Sequence, residues 1–118
     1  MKDDRLYVQH ILDCIARIDR YCQNGEEVFR KSELIQDAVL RNLQTLAEST
    51  QRLDDRLKAL HPEVDWRAIS GFRNVLVHDY LGTNLERVWE IVSVHLPVLA
   101  SRMEIMSTPV QNSPKAPI

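Results

Sequence analysis

Val39, Leu43, Leu46, Leu53, Leu57 and Leu60, with Thr50 at the remaining position, recur in alternating steps of four and three. That spacing places all of them along one side of an α-helix. It cannot be laid on a strand, whose faces alternate every second residue. The helix that carries this seam is expected to start at Ser32, a good N-cap residue, and to run to Leu60. His61-Pro62 ends it, because proline disfavours helical backbone in the residue before it. Glu26 to Arg30 adds a short turn in front. A helix of that length is the expected spine of a bundle.

Other apolar positions fall into the same kind of pattern. Val8, Ile11, Leu12, Ile15, Ile18 and Cys22 make one stripe on a helix from about Asp4 to Cys22, and Asn24-Gly25 stops it. A third helix opens at Asp65, an N-cap candidate, and carries Trp66, Ile69, Phe72 and Leu76. The chain then turns through Asp79–Thr83. Asn84 caps a fourth helix with Leu85, Val88, Trp89, Val92, Leu96 and Leu99 on its apolar face. Aromatic residues are 6% of the chain and glycines number three, too few of either for a strand-rich fold. The expected fold is all-α: an antiparallel up-and-down four-helix bundle over residues 1–106, followed by a flexible tail over 107–118. Pro109, Pro114 and Pro117 interrupt that tail. At 118 residues the core of such a bundle is small, so association into a homodimer or higher oligomer is expected.

Several chemistries are set aside by what the chain lacks. No apolar run reaches the roughly 18 residues of a membrane span. Met1-Lys2-Asp3-Asp4-Arg5 lacks the apolar core of a secretion signal, and a cytoplasmic location is expected. Cys14 and Cys22 lie eight residues apart on one helix, about 12 Å along its axis, too far for a disulfide. Neither has the spacing of a zinc site. His10, His61 and His95 read as structural, and no metal or cofactor is expected. The formal net charge of −2 leaves no basic footprint over the chain as a whole, so any nucleic-acid contact must be local.

The segment Gly71-Phe72-Arg73-Asn74-Val75-Leu76-Val77-His78-Asp79-Tyr80 is where chemistry concentrates. An imidazole titrates near neutral pH and serves as general base or acid. A guanidinium stays cationic and offers a planar fork of donors to phosphate oxygens. RNA supplies its own nucleophile, the 2′-hydroxyl. Arg73 and His78 therefore suffice in kind for RNA cleavage without a metal, while DNA, lacking that hydroxyl, is not a substrate for this route. Residues five apart on a straight helix stand about 140° apart around its axis. Either the helix ends or kinks before His78, or the two side chains meet across an interface. Taken singly, Arg73 also reads as a surface ion-pair residue, and His78 as a helix C-terminal residue favoured by the macrodipole. Asn74 either contacts RNA or fixes backbone at the helix end.

Arg73-x4-His78-x-Tyr80, together with Pro62, Trp66, Ile69, Gly71 and Asn74 in their order and spacing, resembles the signature of HEPN-domain proteins of the HepT type. The likeness runs from Leu6 to about Met103. It implies a HEPN-like helical bundle that dimerises, so that two Arg/His motifs share one cleft. It implies an RNase toxin of a type VII-like toxin–antitoxin pair acting on tRNA or mRNA, whose partner is a nucleotidyltransferase antitoxin of the MntA type. It makes Tyr80 the acceptor of AMP. Asp79 departs from the small residue commoner between the histidine and the tyrosine; it either orients His78 or caps the turn. A competing expectation is a helical interaction module that serves as substrate of the transferase without nuclease activity, in keeping with the acidic charge. A plain nucleotide-binding bundle is a third, and it lacks a glycine-rich phosphate loop.

Overall fold

The computed structural model describes residues 4–78 and 84–107, with the backbone alone over 73–78. The helices are α1 Asp4–Tyr21, α2 Glu26–Lys31, α3 Glu33–Gln51, α4 Asp55–Ala59, α5 Trp66–His78, α6 Leu85–Glu90 and α7 Leu96–Ser107. A π-helical turn, Ile91–His95, joins α6 to α7 without a break. No strand occurs among the described residues. The all-α bundle expected from the apolar periodicity is the fold observed.

The expected stripes become the core. Val8, Ile11, Cys14, Ile15 and Ile18 of α1 are buried against Val39, Leu43, Leu46 and Ala47 of α3. Val88, Val92, Leu96, Leu99 and Met103 close the bundle from the last helical stretch, which packs on α1 through α7. Neighbouring helices run antiparallel. Asp4 at the start of α1 accepts the backbone N–H of Asp54, just past the end of α3, at 3.2 Å. Glu63, ahead of α5, pairs with Arg102 late in α7 at 3.3 Å, while Phe72 further along α5 meets His95 ahead of α7. The caps anticipated at Ser32, Asp65 and Asn84 form: their side chains accept the backbone N–H groups of Ile35, Ala68 and Arg87. Cys14 and Cys22 are free thiols.

Three features depart from the expectation. The long second helix does not run unbroken from Ser32 to Leu60. It stops at Gln51, and α4 starts anew behind an Asp54 cap whose Oδ1 accepts the Arg56 N–H at 2.8 Å. Asp54 thus competes for the backbone at a position where the seam still holds, since Leu53 remains buried. Beyond the break Leu57 still packs half-buried against the core, and the seam ends at Leu60, which is 72% exposed. Glu26–Lys31 is a helix in its own right, entered through Gly25 at φ 97°, a left-handed conformation that suits glycine. It exists to bury Phe29, whose ring stacks at a tilt on Trp89 with centroids 5.3 Å apart. Gln36 Nε2 donates to the carbonyls of Phe29 and Arg30, both at 3.0 Å, satisfying the end of α2. Finally, the last helix widens by one residue at Ile91–His95, where the Leu96 N–H bonds to the Ile91 carbonyl. Pro97 follows directly. A proline ring clashes with the carbonyl four residues back, and the wider turn accommodates it.

Candidate active site

The helix that carries the Arg-x4-His motif is fixed at both ends of its described side chains. Asp65 caps its start, and Val64 just before it is buried. The Trp66 indole N–H donates to the carbonyls of Lys58 and His61, each at 3.1 Å, which locks α5 to the corner behind α4. Lys58 Nζ lies 6.0 Å from the Trp66 ring centroid, within cation–π reach. One helical turn on, Ile69 and Phe72 are buried. Phe72 meets His95 edge-on, with ring centroids 6.0 Å apart. His95 was expected to be structural, and this contact with a core phenylalanine is a structural role. Beside α5 a cavity of about 100 Å³ is lined by Glu63, Val64, Asp65, Ile69, Val94, His95 and Val98.

Phe72 immediately precedes Arg73, so the buried half of α5 sets the register of the motif. The backbone remains α-helical through Arg73 and Asn74 to His78, which is the last residue of α5. The helix therefore does not end before His78. Positions 73 and 78 stand about 140° apart on one continuous helix. Measured from buried Ile69, position 73 lies about 40° round, at the border of the core-facing side, and position 78 about 180° round, on the opposite side. Asn74 shares the outer side with His78, one turn earlier. Asp79 and Tyr80 lie outside the described residues, as do residues 108–118 of the tail; Ser107 still belongs to α7.

Other reactive groups are accounted for by packing. Burial pushes the Cys14 thiol up, and burial with the nearby Asp19 carboxylate pushes Cys22 up to about 11. Neither is a thiolate nucleophile at neutral pH. Among the described residues no group of three or more His, Cys, Asp or Glu side chains is arranged to hold a metal ion. No helix of the described residues is long and apolar enough to cross a membrane.

Two features of α5 escaped the sequence reading. Arg67 is exposed, and among the described residues a Cβ built on Gly71 would meet nothing within 4 Å. The cost of a glycine inside a helix is the signal that marks Gly71.

A family model described as ribonuclease HepT-like matches residues 11–106. The chain is similar to a candidate RNase of Caldanaerobacter subterraneus subsp. tengcongensis, 31% identical over 105 residues that cover 88% of this chain and 94% of the relative. It is similar to a protein of Thermococcus cleftensis provisionally named ribonuclease HepT, 29% identical over 99 residues, covering 83% and 90%. A candidate RNase of Methanocaldococcus jannaschii is 30% identical over 106 residues, covering 89% and 97%. No solved structure matches.

Proposed function

The chain belongs to the HepT-like ribonuclease family, and from that premise we propose that it is a metal-independent endoribonuclease toxin in which Arg73 and His78 of two copies share one cleft. The observation that carries this reading is the continuity of α5 through His78. Within one straight helix the two positions diverge by about 140°. A second copy that meets α5 at its His78 end supplies the missing partner, so that each site takes one residue from each chain.

In the proposed reaction an RNA 2′-oxygen attacks the adjacent phosphorus. The 2′-O–P bond forms and the P–O5′ bond breaks, leaving a 2′,3′-cyclic phosphate and a 5′-hydroxyl. The imidazole of His78 takes the proton from the 2′-hydroxyl or delivers one to the departing 5′-oxygen, and solvent water exchanges the proton at the other oxygen. The guanidinium of Arg73 holds the non-bridging oxygens as charge builds on phosphorus. Asn74, on the His78 side of the helix, supports RNA or the helix end. Asp79 orients the imidazole. The substrate is tRNA or mRNA.

Regulation follows from Tyr80, two residues beyond His78. A nucleotidyltransferase antitoxin of the MntA type transfers AMP from ATP to its phenol oxygen: an O–P bond forms, the α–β phosphoanhydride bond breaks, pyrophosphate leaves and the phenol proton passes to solvent. The added phosphate competes for the guanidinium fork, and the nucleoside blocks the cleft. In the second reading, favoured by the net charge of −2, the chain is a substrate of the transferase without nuclease activity. Purified protein incubated with RNA in excess chelator separates the two: wild type cleaves and His78→Ala does not. Intact RNA with wild type, or equal cleavage by His78→Ala, contradicts the nuclease.

A further inference from the structure

Arg67, Gly71, Asn74 and His78 follow one another at steps of four, three and four along α5. Position 67 lies about 20° from position 78 around the helix axis, and position 71 also lies about 20° from it, on the other side. All four stand about 140–180° around the axis from buried Ile69, with half-buried Gly71 about 100° from Phe72. Arg67 is exposed and forms no ion pair with a described residue. Gly71 sits inside the helix, where alanine is the better helix former. Its backbone is helical, and among the described residues a Cβ there would meet no atom within 4 Å.

We propose that this side of α5 is a track for a single RNA strand, with Arg67 as a remote phosphate anchor and Gly71 as the point where the strand lies against the helix backbone. The inference rests on the ribonuclease reading and extends it to residues outside the Arg/His pair. The occupant is chosen by charge: an exposed arginine about 16 Å along the axis from position 78 matches a polyanion that spans several phosphates. A glycine lets backbone and ligand come closer than any side chain allows. The strand enters at Arg67, passes over Gly71 and reaches the scissile bond at the His78 end of the helix.

The test measures binding of a fluorescein-labelled single-stranded RNA oligonucleotide by anisotropy, in a His78→Ala background so that the probe stays intact. Gly71→Ala is expected to weaken binding by about tenfold while its unfolding midpoint stays at or above that of its parent. Arg67→Gln is expected to lower the salt slope of binding by about one counterion. Unchanged affinity for Gly71→Ala with an unchanged salt slope for Arg67→Gln overturns the track. So does a lowered midpoint for Gly71→Ala, which makes the glycine structural. So does a loss of dimer with unchanged RNA affinity per dimer, which assigns the clearance to a second copy. Because cleavage is assayed separately with an intact His78, failure of the track and failure of the nuclease are told apart.

Discussion

The rings of Phe72 and His95 meet edge-on, 6.0 Å apart at 68°. One precedes Arg73; the other closes the π-helical turn that lies just before Pro97. The contact joins the helix of the Arg/His motif to the last helix and makes the register of α5 a property of the core. Phe72→Ala removes a fully buried ring, and a destabilisation of about 3–5 kcal/mol is expected in urea unfolding. Phe72→Leu should cost under about 1.5 kcal/mol. Equal, small losses for both would mean that the ring does not set the helix.

Trp66 anchors the opposite end of α5 through one indole N–H shared between the carbonyls of Lys58 and His61. Trp66→Phe keeps most of the ring and removes the donor. The expected cost is about 0.5–1.5 kcal/mol, the net worth of the lost bond, because the Lys58 and His61 carbonyls still accept the backbone N–H groups of His61 and Val64. Cleavage per folded molecule should stay at the wild-type rate, since Trp66 lies two turns before Arg73. An unchanged unfolding midpoint contradicts the anchoring role.

The bundle and its caps were legible because each rests on local chemistry: 3.6-residue apolar periodicity for α1, α3 and the last helix, and short polar side chains at Ser32, Asp65 and Asn84. The break at residues 52–54 was not legible. The seam continues through Leu53, so the pattern reads as one helix, while the Asp54 cap and the bond from its N–H to Asp4 are tertiary and local terms that periodicity does not carry. Phe29 was missed because a six-residue helix is too short to show a period. At the candidate site the residue types could be read from the motif. Whether α5 would bend before His78 could not, since nothing in Val75-Leu76-Val77 forces or forbids a helix end there.

Thiol ionisation gives a pH test of the packing around α1. Cys22 is held up to about 11, first by burial and then by Asp19, against an ordinary value near 9.0. Between those values the unfolded chain loses the proton and the folded chain keeps it. The unfolded state then binds fewer protons, so stability falls as pH rises from about 9 to about 11 and levels above that. Cys22→Ser removes this dependence. The difference in unfolding free energy between wild type and Cys22→Ser should shift against wild type across that window; parallel pH profiles contradict the buried thiol.

The shared-cleft account is tested most directly by mixing two inactive chains. Arg73→Ala and His78→Ala are each expected to leave RNA intact. When they are co-refolded in equal amounts, half of the dimers are mixed. In each of those, one of two sites joins an intact arginine from one chain to an intact histidine from the other, so roughly a quarter of wild-type cleavage returns. No recovery from a mixture shown by mass to contain the mixed dimer would contradict the account.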